Sequence, residues 1–391
     1  MQRGMRLFRL AGIDVYLDWS LIIIFVLITS SLGLGVFPQW HPEWSTGTSL
    51  ITAFVAAVLF LGSVLTHEFS HALVGRAHGM TINRITLFIF GGMAQIESEP
   101  RDWRSEFWMT IVGPITSLVL GVIFIGLGMG VLPAGEFDPE QPREFLASMT
   151  PLATLLLWLG PVNIILGLFN LVPGFPLDGG RVLRSLIWGI TGDLQRATRY
   201  ASQGGQLFAW LLIGTGLAMV VGARVPIFGT GVINGVWLML IGWFLNTAAV
   251  ASYRQMQFRH LLQGVTVERI MQARPRTLEP TLTLQDVVDH YLFHGEQRAY
   301  PVVDDDQLQG LITLHDIRGV PRERWPRTRV QETMIPCADL VTVGPRDEAA
   351  RALELISQQG FNQLPVVEQG RVLGLIHRED LMRWLSLFSG N

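Results

Sequence analysis

The stretch Leu65-Thr66-His67-Glu68-Phe69-Ser70-His71-Ala72-Leu73 decides how this chain is read. It sits inside a run from Leu50 to Gly75 that is otherwise almost wholly apolar. Two histidines four residues apart share one face of a helix, so both imidazoles can reach a single metal ion. Glu68 stands beside His67, where its carboxylate can take a proton from a water polarised by that metal. Two imidazoles and a carboxylate at bilayer depth are costly without partners, which marks the stretch as a functional site.

Composition sets the surroundings. The chain has 391 residues, 49% hydrophobic and 16% charged, with a mean hydropathy of +0.36. That balance suits a membrane domain joined to a soluble one. Net charge is −3, all 29 basic residues are arginine, and no basic cluster is dense enough for nucleic acid. The lone Cys337 excludes an internal disulfide and a thiolate metal set, so any zinc must be held by nitrogen and oxygen. A basic lead-in from Met1 to Leu10 and a long apolar run after Asp18 predict a retained first span, not a cleaved signal.

Six apolar runs are expected to cross a bilayer about 30 Å thick, near Trp19–Phe37, Leu50–Gly75, Phe107–Leu132, Ala147–Val172, Gly204–Val221 and Val225–Ser252. With the N-terminus inside, the inner segments carry thirteen arginines and the outer ones only Arg143 and Arg224. This bias predicts a multi-pass protein of the plasma membrane, with the N-terminus and the tail after Tyr253 in the cytoplasm. His67 lies 17 residues beyond Leu50, about 25 Å along a helix, hence on the cytoplasmic side but below the membrane surface. Gly79 should end that helix, leaving His78 at its exit rather than as a ligand. The loop from Pro133 to Arg143, with Glu136, Asp138 and Glu140, should be external.

Between the second and third spans, Thr81–Glu99 predicts a β-hairpin of about nineteen residues. Ile85, Leu87 and Ile89 fall on one face, Gly91-Gly92 makes the turn, and Gln95, Glu97 and Glu99 alternate beyond it. Two uses stay open: a structural loop, or an exposed edge that pairs with an unwound substrate segment. The second motif ends the fourth span, Asn170-Leu171-Val172-Pro173-Gly174-Phe175-Pro176-Leu177-Asp178-Gly179-Gly180. Prolines and glycines break the helix there, tolerable at depth only where the segment is buried in protein or lines a wet cavity. Asp178 falls on the same inner side as His67 and His71, and two His plus one carboxylate is a common catalytic zinc set. Asn170 and Asn163 offer amides for substrate backbone or an oxyanion, or else hydrogen bonds between helices.

HEFSH, the Gly91-Gly92 hairpin, Gly113-Pro114 and NLVPGFPLDGG together resemble the site-2 protease family of intramembrane zinc metalloproteases, over roughly the first 200 residues. With no PDZ-like insertion between the third and fourth spans, the chain is similar to the compact branch. The resemblance implies one zinc ion held by His67, His71 and Asp178, with Glu68 as catalytic base. It also implies hydrolysis of peptide bonds in or beside the transmembrane segments of membrane protein substrates. A CBS-regulated metal-ion transporter or channel is the alternative of another class, since intramembrane His, Glu and Asp also form ion paths; a catalytically dead scaffold is a further one.

After Arg259 a repeat appears at a constant offset of 64 residues: Pro301 to Pro365, Gly310 to Gly374, Asp316 to Asp380. Such a duplication predicts two copies packed as one body. The pattern resembles a tandem CBS pair. The chain is thus read as a polytopic α-helical membrane domain with a membrane-associated β-hairpin (1–252), a linker (253–264), and an α/β tandem CBS domain (265–391, copies 265–320 and 328–388). The CBS resemblance implies an adenine nucleotide between the copies, with Asp316 and Asp380 on ribose and Thr313 near phosphate. His377 stands where the second hydroxyl residue belongs. A purely structural pair, or one that forms a homodimer, remains the other reading.

Overall fold

The computed structural model describes residues 4–89, 91–96, 100–132, 142–226, 229–262, 264–292 and 297–388. It divides into two compact units, one through Arg254 and one from Gln255 onward. The first holds six helices long and apolar enough to cross a membrane: Ser20–Trp40, Thr46–Ala77, Trp103–Gly130, Pro151–Asn170, Leu194–Val220 and Val232–Arg254.

The first crossing is α1 (Ser20–Ser31), which runs through a π-helical turn (Leu32–Val36) into α2 (Phe37–Trp40). The second, α3 (Thr46–Ala77), has 32 residues. At 1.5 Å each it is about 48 Å long, more than the roughly 30 Å apolar thickness of a bilayer. Ser45 caps its start by accepting from Thr48 N, and Gly79, at φ +80°, follows its end. His78 Nδ1 lies 2.9 Å from Val74 O, one turn back on the same helix. Next come α4 (Trp103–Gly130), capped by Asp102 and containing Pro114, the short α5 (Pro142–Ser148), and α6 (Pro151–Asn170), capped by Thr150 and containing Pro161. Most of the loop read as external, Glu136, Asp138 and Glu140 included, lies outside the described residues.

Seven residues separate α6 from a helix that was not foreseen, α7 (Asp178–Thr191), and the expected fifth span, α8 (Leu194–Val220), starts ten residues earlier than its apolar run suggested. The last crossing belongs to α9 (Val232–Leu262). The expected hairpin is present as β3 (Ile82–Phe88) and β4 (Gly91–Ile96), with Glu97 and Glu99 outside the described residues. The basic lead-in supplies β1 (Gly4–Leu10), which pairs antiparallel with β2 (Ile13–Asp18), and β2 runs parallel to β3. The hairpin is thus only half of a four-stranded sheet in the order β1-β2-β3-β4. A register shift between Ile82 and Arg84 changes the side-chain phase, so Ile82, Ile85 and Leu87 are all buried. They pack with Ile13 and Val15 against Val64, Phe69 and Ala72 of α3 and Met109 of α4. The sheet is thereby fixed to the helix that carries the two histidines, with β4 at its edge.

The second unit contains the repeat. In the first copy, α10 (Leu284–Val287) leads through a π-helical turn (Val288–Leu292) to β6 (Ala299–Asp304), β7 (Gln307–Thr313) and α11 (Leu314–Arg318). The second has α12 (Ala349–Gln359), β9 (Gln363–Glu368), β10 (Arg371–His377) and α13 (Arg378–Phe388). The short strands ahead of each copy exchange places. β5 (Gln272–Ala273) precedes the first copy but pairs with β10, whereas β8 (Ile335–Pro336) precedes the second and pairs with β7. Each sheet is completed by the other copy, so the two fold as one body.

Candidate metal centre and nucleotide half-sites

α3 places His67 and His71 one turn apart, and the start of α7 brings Asp178 to them. His67 Nε2 lies 3.1 Å from Asp178 Oδ2, His71 Nε2 lies 3.2 Å from the same oxygen, and the two Nε2 atoms are 3.1 Å apart. Among the described residues this is the one cluster of three such groups that could hold a metal ion.

The other ring nitrogens are occupied. His71 Nδ1 sits 2.7 Å from Met109 O. A carbonyl only accepts, so the proton is on Nδ1 and the lone pair of Nε2 faces the cluster. His67 Nδ1 is 2.9 Å from Ser117 Oγ, whose hydroxyl can accept in the same way. With His67 in the same tautomer, two lone pairs and a carboxylate oxygen converge on one point, an arrangement suited to a cation. A tetrahedral zinc with bonds of about 2.0–2.2 Å sets its ligands about 3.3–3.6 Å apart. The observed 3.1–3.2 Å spacing fits once the atoms relax outward by a few tenths of an ångström.

Two glycines make the room. A Cβ on Gly113 of α4 would overlap His71 Nε2 and come within 2.8 Å of His67 Nε2, so the absent side chain is the space in which the cluster sits. A Cβ on Gly92 of β4 would overlap Glu68 Cγ and lie 2.7 Å from its Cδ. The sheet edge therefore runs directly against the Glu68 side chain. Gly91, at φ +127°, makes the turn before it.

The asparagines are less involved. Asn163 is fully buried, its Nδ2 donating to Leu159 O at 2.9 Å, and its Oδ1 has no partner among the described residues. Asn170 is the half-buried last residue of α6, at the mouth of the connector to α7. Sequence reasoning missed Ser117 and the Met109 carbonyl. Ser117 is one turn beyond Gly113 and could have been found as a polar residue on the small-residue face of α4; a backbone acceptor leaves no trace in the sequence.

In the second unit, Thr313 and Asp316 form a capping box at α11: Asp316 Oδ2 accepts from Thr313 N at 2.8 Å and from Thr313 Oγ1 at 2.7 Å. The second copy builds the same corner differently. His377 Nδ1 is 3.1 Å from Asp380 Oδ2, and Gln272 Nε2 donates to that oxygen at 3.1 Å. His377 thus takes over the local contact that a hydroxyl makes in the first copy.

Comparison with known proteins agrees with both halves. The signature of Peptidase family M50 matches residues 55–134 and 141–212, and that of the CBS domain matches 267–323 and 330–387. Rip3 of Mycobacterium tuberculosis is 32% identical, over 99% of this chain and 94% of its own length. The sll0528 protein of Synechocystis is 33% identical, over 98% and 96%. Both are named, provisionally, as zinc metalloproteases. Among solved structures, the site-2 protease of Methanocaldococcus jannaschii is 25% identical, covers 64% of this chain and 95% of that one, and superposes with a TM-score of 0.41. The chain is a multi-pass membrane metalloprotease that belongs to Peptidase family M50, the site-2 protease family, and carries a tandem pair of CBS domains.

Proposed function

We propose that this chain hydrolyses peptide bonds in or beside the transmembrane segments of membrane proteins, with His67, His71 and Asp178 as zinc ligands and Glu68 as catalytic base. The observation that carries the proposal is the convergence of two Nε2 atoms and one carboxylate oxygen within 3.2 Å, from two different helices. Zinc held there supplies Lewis acidity, activating water and polarising a carbonyl. Glu68 accepts the proton of the attacking water as the new carbon–oxygen bond forms, then passes it to the departing amine as the carbon–nitrogen bond breaks. Asn170, the last residue of α6, would meet substrate backbone at the connector. Asn163, committed to its own helix through Nδ2, would serve only through Oδ1, as an acceptor.

A helical substrate hides its carbonyls, so it must unwind before attack. β4, at the sheet edge and in contact with Glu68 through Gly92, offers backbone groups to an extended chain beside the base. This favours strand addition over a purely structural loop. The arginine bias supports a plasma-membrane protein with both termini cytoplasmic, so that water reaches the site from that side. Against a transporter, no second cluster continues the path among the described residues.

The CBS pair is proposed to bind an adenine nucleotide at Thr313 and Asp316, with Asp380 a weaker half-site because His377 and Gln272 already hold its carboxylate. Nucleotide would gate the protease by favouring one of two arrangements of the pair. A homodimer through the same pair is the structural use of the domain. Incubating the purified chain with single-span membrane proteins, beside Glu68→Gln, tests the reading. Zinc retained without cleavage in the variant is expected; full cleavage by it would end the proposal. For the tail, calorimetry with AMP and ATP on the full chain should show heat that Asp316→Ala removes, and none at millimolar nucleotide would dismiss the regulatory reading.

A further inference from the structure

Among the described residues, the titratable group most deeply buried outside the metal cluster is Glu106, in the first turn of α4 and wholly shielded from solvent. Its Oε1 accepts from Arg184 of α7, through Nε at 2.8 Å and also through Nη2. Its Oε2 has no partner among the described residues. The guanidinium of Arg184 also lies over the ring of Phe175, 5.4 Å from its centroid, in the connector that leads to Asp178.

We infer that the Glu106–Arg184 pair is a positioning device for the third metal ligand: it fixes the tilt of α7 on α4 and so sets where Asp178 meets the two histidines. The inference rests on the zinc-site reading above. Glu106, Met109, Gly113 and Ser117 follow at intervals of three and four, which puts them on one face of α4. Met109 O orients His71, Ser117 orients His67, and Gly113 leaves the space between them. Glu106 carries that face across to α7 through its bonds to Arg184, so a single helix face bears on all three ligands. Arg184 lies six residues beyond Asp178, about 9 Å along the axis. A tilt of about 10° around the pair would shift Asp178 by about 1.5 Å, more than a metal site tolerates. A buried ion pair with one oxygen unsatisfied is a poor source of net stability, so geometry is the better account of it.

The test uses the full chain in detergent micelles, with zinc affinity measured against a competing chelator, unfolding of the zinc-free protein, and the visible spectrum of the cobalt-loaded protein. Glu106→Gln removes the charge at constant size. The double variant Glu106→Leu/Arg184→Met leaves no buried charge unpaired and guards against simple misfolding. Both should bind zinc about 10- to 100-fold more weakly. The zinc-free double variant should unfold at or above the parent temperature, and the cobalt bands of both should move toward those of Asp178→Ala. Parental zinc affinity and cobalt spectrum in the double variant would overturn the inference while leaving the metal site intact. Unchanged zinc affinity in Asp178→Ala would instead bring down the metal-site reading, and this inference with it.

Discussion

Replacing Gly113 with alanine separates the metal site from the stability of the fold that holds it. The position is inside α4, where alanine is favoured over glycine by about 1 kcal/mol, so local helix energetics predict a neutral or slightly more stable protein. The site predicts the opposite. The new Cβ would overlap His71 Nε2 and lie 2.8 Å from His67 Nε2. Neither ring can retreat freely, because His71 is tied through Nδ1 to Met109 O and His67 to Ser117. Restoring ordinary contact needs a displacement of about 1 Å in at least one ligand atom, and a shift of that size costs about 100-fold at a catalytic centre. Gly113→Ala should therefore lose most of its bound zinc to a chelator that the parent resists, and cleave substrate at about 1% of the parental rate or less. The zinc-free variant should unfold at the parental temperature or higher. Full zinc retention and activity would refute the steric argument; loss of activity with a comparable fall in unfolding temperature would show that the glycine serves the fold rather than the site.

Other perturbations divide the site into its parts. Ser117→Ala deletes the hydrogen bond that orients His67, so zinc affinity should drop about 10- to 100-fold, measured by chelator competition. Gly92→Ala drives a methyl into Glu68 while leaving the ligands untouched; metal analysis should find zinc at full occupancy and cleavage assays a loss of rate at least tenfold, from a base pushed out of place. In the CBS pair, Thr313→Val breaks the hydroxyl bond to Asp316 and should weaken AMP binding seen by calorimetry, whereas His377→Ala should change it little if the first half-site dominates.

The candidate metal cluster was legible because polar groups stand out against an apolar background. His67, Glu68 and His71 interrupt a hydrophobic run at helical spacing, and Asp178 follows a proline-broken segment that no ordinary span would tolerate. The CBS pair was legible as a fixed-period duplication, although the exchange of β5 and β8 between copies was not, since two-residue strands carry no pattern. The β1–β2 hairpin was hidden for a local reason. Its turn, Ala11-Gly12, has both residues at positive φ, +49° and +75°, yet alanine is not a residue that advertises such a turn. The arginines of β1 also read more readily as flanking charge than as strand; Arg6 instead pairs with Asp14 across the hairpin at 2.7 Å. α7 was missed because its glycines and prolines upstream suggested a loop, whereas Gly174 and Gly205 allow the connector and α8 to meet backbone to backbone.

If His67, His71 and Asp178 cage one zinc ion, X-ray absorption at the zinc edge of the purified chain will record their donor atoms. One zinc per chain is expected, with two imidazole nitrogens and carboxylate oxygen at about 2.0–2.2 Å, and the loss of one imidazole from the His71→Ala spectrum. A zinc shell without imidazole scattering, or one unchanged by His71→Ala, would contradict that assignment.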